Sequence, residues 1–257
     1  MEKSKPADPP REHPDYLNEE INGSDAIAVR MGRKLRRSHG LQILYQRQNN
    51  LILSAITPGN VARLLEIGCG IGNFLSSVQH RFPVVAGVDP GPESLALARK
   101  FSPRARLVTG SGEHLPFEPE AFDAIVMKGV VHHLKEPTAV FKEVRRCLKS
   151  GGTFLIYEGN RHSAYRRFML GLANAMHIPH ESTLFEHRSP EQMRRMLQEA
   201  GLQTSLQKDI SGLFVPLALT GLGGRRLWLL LNRIEDLLQS LCPFLFDYHV
   251  LLVARKG

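Results

Sequence analysis

The sequence predicts an α/β fold built on a doubly wound, mostly parallel sheet with helices on both faces. Three observations carry this expectation. Residues 64–74, Leu-Leu-Glu-Ile-Gly-Cys-Gly-Ile-Gly-Asn-Phe, run from an apolar strand through Gly68, Gly70 and Gly72 into a helical pattern. Apolar runs of strand length then alternate with amphipathic segments of helix length as far as residue 160, the signature of parallel strands joined by crossover helices. With 257 residues, 42% of them hydrophobic, the chain is able to bury a full core.

Taken in order, residues 1–25 carry Pro6, Pro9, Pro10 and Pro14 among mixed charges and few apolar side chains, and are expected to form a mobile segment. Residues 26–257 are expected to form a single domain. Within 26–60, Leu35, Leu41, Leu44, Leu51 and Ile52 recur at near-helical spacing, predicting one or two helices interrupted near Gly40 and stopped before Pro58. The opening strand is followed by a second at 84–88, which ends in Asp89-Pro90-Gly91, and by a helix over 93–101 with Leu95 and Ala98 on one face. Further strands are predicted at 106–108, 122–127 and 154–157, with a helix over 138–148 closed by Gly151-Gly152.

Beyond residue 160 the rhythm changes. A helix is predicted over 163–176 and irregular structure over 178–187. Ser189-Pro190-Glu191-Gln192 is a strong helix start, because a serine cap, a proline at the first position and a glutamine at the third together answer the unpaired N–H groups. That helix ends at Gly201. A strand over 203–210, an apolar helical insertion over 211–246 and a final strand over 248–254 complete the chain.

The formal net charge of +8 is unevenly spread. No acidic residue lies between Asp25 and Glu66, whereas Arg30, Arg33, Lys34, Arg36, Arg37, Arg47 and Arg63 all do. A local basic surface follows, suited to nucleic acid, anionic lipid or a phosphorylated substrate, or simply a solvated helix face. Cys69, Cys147 and Cys242 are odd in number and far apart, and the first residues lack the apolar core of a signal peptide, so a reduced, cytoplasmic setting is expected. No apolar run reaches transmembrane length, and residues 212–224, followed by Arg225 and Arg226, suit a buried or interfacial helix.

A glycine-rich turn after a strand also marks dinucleotide enzymes. Here Asn73 stands where that fingerprint needs its third glycine, and Glu66 precedes the loop. The motif Glu66-Ile-Gly68-Cys-Gly70-Ile-Gly72 instead resembles the first motif of the class I S-adenosylmethionine-dependent methyltransferases. Val88-Asp89-Pro90 is similar to the second motif, and residues 110–117, Gly-Ser-Gly-Glu-His-Leu-Pro-Phe, to the segment after the third strand. Residues 122–127 with Val131-His132-His133-Leu134 resemble the fourth motif, and the Gly151-Gly152 stretch the fifth. The resemblance covers residues 61–160 well and the later helix and last strand loosely. It implies a Rossmann-like sheet of seven strands with an antiparallel last strand, and S-adenosylmethionine as cofactor.

Under that resemblance, Glu66, Gly68, Cys69, Gly70, Asp89, Pro90, Ser111, Gly112, Glu113 and Lys128 are the candidate cofactor-binding residues. Glycines let backbone approach the methionyl part without Cβ clashes, and a helix starting near Gly72 offers N–H groups to a carboxylate. Asp89, at a strand end, is placed to accept from both ribose hydroxyls, or else to cap the helix after Pro90. Glu66 would hold the loop and the methionyl amine, since an unpartnered acid in an apolar run is costly. Ser111 stands where the family often has an acid for the adenine amino group, and Glu113 serves there or as a surface or capping residue.

His132 is the candidate general base for a hydroxyl acceptor, its neighbour His133 the other histidine of the motif, and packing or hydrogen bonding is the competing role for both. No metal site is expected, because adjacent histidines should point apart and no third ligand is spaced to join them. Methyl transfer needs no acid or base where positioning and water exclusion suffice.

Acceptor choice is expected from residues 26–56, 160–188 and 211–246. Phe168, Met169, Leu170, Leu172, Met176, Leu213, Phe214, Leu217, Leu219, Leu222, Trp228 and Leu230 are candidates for an apolar pocket or lid, or for packing among themselves. The reading is a methyltransferase acting on a small, hydrophobic or lipid-linked acceptor, with peripheral contact at a membrane surface. The alternatives are an RNA or protein methyltransferase using the basic segment, and a cofactor-binding partner protein without catalysis. Nucleic acid is not favoured, since aromatic residues are not interleaved with the arginines.

Overall fold

The computed structural model describes residues 14–56, 59, 61–160, 162–175, 188–220, 222–241 and 247–257. Two helices come first, α1 (Pro14–Arg37) and α2 (His39–Ser54). The core then runs β1 (Arg63–Ile67), α3 (Asn73–Val78), β2 (Val84–Asp89), α4 (Pro92–Phe101), β3 (Arg106–Thr109), β4 (Phe122–Lys128), α5 (Pro137–Cys147) and β5 (Leu148–Gly159). The remainder is α6 (Ala164–Ala175), α7 (Pro190–Glu199), β6 (Leu202–Ile210), α8 (Val215–Thr220), α9 (Arg225–Leu241) and β7 (His249–Lys256).

The strands form one seven-stranded sheet in the order β3-β2-β1-β4-β5-β7-β6. Neighbours from β3 to β5 pair in parallel, and β7 runs antiparallel to both β5 and β6. The expected antiparallel last strand is therefore present. The order reverses direction between β1 and β4, which opens a crevice at their carboxyl ends.

Strand residues alternate between two apolar layers, which is why the inner strands read as continuous apolar runs. Leu65, Ile67, Ile125, Met127 and Phe154 face α5 and α7, where Phe141, Val144, Met193 and Leu197 meet them. Leu64, Ala124, Val126 and Leu155 face the other way, against Ile52, Phe74, Leu75 and Leu95 of α2, α3 and α4. The alternation puts Glu66 on the α3 side.

Several expectations are corrected. Residues 14–25 of the segment expected to be mobile lie in α1, which starts at Pro14, where proline pre-sets the first helical φ. The break between the first helices falls at Ser38, not Gly40: Ser38 is extended and its hydroxyl accepts from the Leu41 N–H at 3.2 Å. Gly151-Gly152 does not close α5 but lies inside β5, which starts at Leu148 and meets β4 through a register shift, with Gly151 at φ 74°. The insertion expected over 211–246 is two helices, α8 and α9. The irregular stretch over 178–187, Met176 and residues 242–246 lie outside the described residues. The capping box at Ser189 and Gln192 forms as expected, each side chain answering the other's backbone N–H.

Helices α1, α2, α8 and α9 share a third apolar cluster around Leu41, Ala218 and Trp228. Gly40 is the contact point, since a Cβ there would lie 2.4 Å from the Trp228 ring. Arg47 fastens the same helices, bridging from α2 to Glu235 at 2.9 Å and to Asp236. The basic segment is thus partly internal: Arg47 is paired, Arg63 donates to the Ala121 carbonyl at 2.6 Å, and Arg36 lies over the Phe101 ring.

Helix propensity alone favours alanine over glycine by ~1 kcal/mol. Gly40→Ala is nevertheless expected to destabilise the protein by ~1–3 kcal/mol, because Trp228 must leave its seat. Urea unfolding of the two proteins checks this.

Candidate functional site

At the carboxyl ends of β1 and β4 a cavity of about 720 Å³ opens, within the usual size of a small-molecule site. All ten candidate cofactor residues line it, Glu66, Gly68, Cys69, Gly70, Asp89, Pro90, Ser111, Gly112, Glu113 and Lys128, as do His132 and His133.

The glycine loop is held open by backbone conformations that L side chains rarely adopt: φ is 67° at Gly68, 49° at Gly70 and 78° at Gly72. The N–H groups of Gly68 and Cys69 donate to the Val88 carbonyl at 2.8 and 3.2 Å, tying the loop to β2. A Cβ on Gly68 would stand 2.4 Å from Val130, whereas one on Gly70 would meet open space. The Cys69 thiol is buried and its pKa is raised, chiefly by that burial.

Asp89 joins two loops. Its Oδ2 accepts from the Gly70 N–H at 2.7 Å and its Oδ1 from the Gly91 N–H at 2.8 Å. Burial raises its pKa against the pull of those two N–H groups. Asp89 does not cap α4. That role belongs to Asp25 of α1, whose carboxylate accepts from the Glu93 and Ser94 N–H groups at 3.0 and 2.7 Å. Each Asp89 oxygen keeps a lone pair for a further donor.

Glu66 is buried, and its Oε2 has no hydrogen-bond partner among the described residues. Burial raises its pKa, while Lys128 and the Leu75 N–H oppose the rise. The first turn of α3 therefore serves the protein's own acid, where the sequence suggested a free helix end. Burial lowers the Lys128 pKa and Glu66 opposes it. Lys128 Nζ donates to Asn49 Oδ1 at 2.7 Å and lies over the Tyr45 ring. Asn49 also reaches Asn73 and Ser77 at 3.3 Å each, so α2 grips both α3, just past the loop, and the end of β4. Ser111 and Glu113 are bonded to each other through their side chains.

Past Lys128 the chain turns through a short 3-10 segment, Val131–His133. Its histidines do not point apart as expected, because that turn sets the rings 4.1 Å apart and tilted by 39°. His132 Nδ1 meets Glu158 Oε1 at 2.7 Å, and Glu158 also accepts from the Val131 and Gly159 N–H groups. A neutral His132 thus carries its proton on Nδ1, leaving Nε2 as the basic nitrogen. Arg188 secures the turn from outside, donating to the carbonyls of Val131 and Leu134 at 3.1 and 3.0 Å. His133 is held neutral, its pKa brought down to about 4 by burial and by His132.

The far wall comes partly from the regions expected to choose the acceptor, Ile27, Met31, Tyr45 and Gln48 within 26–56 and Arg166 within 160–188, and partly from residues the sequence did not single out, Asp25, Tyr157, Glu158 and His249. None of the proposed acceptor residues Phe168, Leu213, Phe214, Leu217, Leu222, Trp228 and Leu230 lines it. Phe168, Leu217, Leu222 and Leu230 are exposed and Trp228 is buried against α2. Met169, Leu170, Leu172, Met176 and Leu219 lie outside the described side chains. Glu158 was findable, since like Glu66 it ends an apolar run. Asp25 left no local signal.

The site fits S-adenosylmethionine on its own features: a buried acid with a spare oxygen at Glu66, an open glycine loop, and a two-oxygen brace at Asp89.

Because His133 is neutral when folded, the unfolded chain takes up a proton that the folded chain refuses between about pH 6.5 and 4. Stability from this group is present above pH 6.5 and is lost as pH falls toward 4. His133→Asn is expected to flatten that part of the stability curve, measured by urea unfolding across the range.

A family description, the methyltransferase domain, matches residues 65–156. The ubiquinone biosynthesis O-methyltransferase of Aeromonas salmonicida is 28% identical over 166 residues, 61% of this chain and 68% of that protein. The protein of the same name from Cereibacter sphaeroides is 30% identical over 162 residues, 58% of this chain and 64% of its own length. The matched stretch thus spans about two-thirds of these relatives. Among solved structures, an S-adenosylmethionine-dependent methyltransferase of Thermotoga maritima shares the fold with a TM-score of 0.67 at 19% identity, covering 93% of this chain and all of that one. Geranyl diphosphate C-methyltransferase of Streptomyces coelicolor shares it with a TM-score of 0.62 at 17% identity, covering 84% and 81%. The ordered motifs, the sheet order and these relatives agree: residues 65–156 match a methyltransferase domain, the sheet is that of the Rossmann-like methyltransferase fold, and the chain is an S-adenosylmethionine-dependent methyltransferase with S-adenosylmethionine as its cofactor.

Proposed function

We propose that the protein methylates a hydroxyl group on a small, largely apolar acceptor, one carrying a lipid-like tail. The observation that supports this most is a single cavity shared by the glycine loop, the buried His132–Glu158 pair and the apolar side of α1 at Ile27, Met31 and Leu35. The relatives named for ubiquinone biosynthesis are O-methyltransferases, which favours oxygen as the accepting atom.

When bound, S-adenosylmethionine supplies a methyl group activated by its sulfonium. Glu66 Oε2 would accept from the amino group and Asp89 from the ribose hydroxyls, with residues 110–114 along the adenine side. Lys128 keeps the Glu66 end of the cavity near neutral while Asn49 fixes its direction. His132 Nε2 is the base that takes the hydroxyl proton as the oxygen attacks, and Glu158 holds the ring and the imidazolium that forms. Arg188 keeps that base in place by gripping the carbonyls of its turn. The helices α1 and α2 cover the reacting groups and exclude water, so positioning supplies much of the rate.

Methyl transfer from labelled S-adenosylmethionine to a panel of hydroxylated aromatic acceptors, with and without an apolar tail, tests the reading. Tailed acceptors are expected to be preferred, and His132→Gln to lower kcat by ~10²–10⁴ with cofactor affinity unchanged. Transfer unaffected by His132→Gln, or confined to polar acceptors, would contradict it.

A further inference from the structure

The helix α9 carries two unlike faces. Its inner face is fixed: Trp228 is buried against Gly40, and Glu235 accepts from Arg47, Ser211 and the Leu213 N–H. Its outer face shows Leu227, Leu230, Ile234, Leu237 and Leu241, which are 47, 56, 40, 60 and 67% exposed. These positions are spaced three and four apart in alternation, so they form one continuous stripe along the helix. An apolar stripe of this kind is not ordinary surface.

The charges beside it select its occupant. Arg226 and Arg233, seven residues apart and both exposed, run along one edge of the stripe. The acids of α9 are turned elsewhere, Glu235 into the interior and Asp236 toward Arg47. A second copy of the chain paired about a two-fold axis would set like edges of arginine near one another with no carboxylate to answer them. Lipid phosphates answer them directly. Among the described residues no helix is long and apolar enough to cross a membrane, so a helix of this pattern lies in the interface plane.

We infer that the outer face of α9 seats the protein on an anionic lipid surface. The helix is joined to the site: Trp228 and the Arg47 bridges hold it to α2, and α2 supplies Tyr45 and Gln48 to the cavity wall. The surface rests on its own geometry, while its use, bringing the cavity to an acceptor held in the bilayer, rests on the acceptor reading above.

Co-sedimentation of the full chain with vesicles tests it, using phosphatidylcholine alone and an equal mixture of phosphatidylcholine and phosphatidylglycerol. The wild type is expected to sediment with the mixed vesicles and far less with phosphatidylcholine. The Leu230→Glu/Leu237→Glu protein should lose at least about tenfold in vesicle affinity, with circular dichroism and S-adenosylhomocysteine binding unchanged. Arg226→Gln/Arg233→Gln should lose the preference for the anionic mixture. A wild type that stays in the supernatant overturns the inference, as does a leucine variant that sediments like the wild type. So does a dimer, seen by light scattering, that the leucine variant dissolves while neither protein binds vesicles. Failure of S-adenosylhomocysteine binding would instead strike the cofactor assignment and leave the vesicle result standing.

Discussion

Much of the site depends on one carboxylate. Asp89, at the end of β2, draws the Gly70 and Gly91 N–H groups to its two oxygens at 2.7 and 2.8 Å. A half-buried carboxylate without such donors would be costly, and the two loops without it would have no shared fixed point. With Asp89 occupied in this way, the first turn of α4 needs another acceptor. Asp25 supplies it from α1. The brace on the glycine loop and the latch on the N-terminal helix are therefore neighbouring parts of one arrangement, and the latch brings the apolar residues of α1 over the cavity.

The second constraint is the disposal of buried charge. Glu66, Lys128, Glu158 and Arg188 all sit at the carboxyl edge of the sheet, where burial acts against each of them. Lys128 and Glu66 moderate each other across the crevice, with Asn49 directing the ammonium. Glu158 gathers two backbone N–H groups and His132, and Arg188 spends its donors on carbonyls of the same turn. Rigid polar groups of this kind are what a transfer reaction needs around its reacting atoms. Away from these groups, the outer face of α9 and the basic last turn of α1 lie on the exterior.

The sheet was legible because buried parallel strands are written as unbroken apolar runs, and the loop because no other residue tolerates three left-handed positions so close together. Ser189 to Gln192 was legible for a similar reason, its cap being a local exchange of hydrogen bonds. Asp25 was not, because its donors lie 68 and 69 residues away. The acceptor wall was legible as a region at residues 26–56, whereas the apolar side chains named from 211–246 do not line the cavity, for a different reason. Apolar periodicity says that a face is apolar, not what it meets: Trp228 and Leu230 belong to one run, yet one is buried under α2 and the other points outward. The tilt of His132 onto His133 likewise depends on a 3-10 turn that the residues alone do not announce.

The central claim is that the braced glycine loop and Asp89 hold S-adenosylmethionine. Calorimetric titration with S-adenosylhomocysteine tests it most directly, on the wild type and on Asp89→Ala. Wild type is expected to bind one molecule per chain, and the variant, deprived of the brace and of a charged acceptor, to bind ~10–100-fold more weakly. A wild type that does not bind, or a variant that binds as tightly as the wild type, would contradict the account.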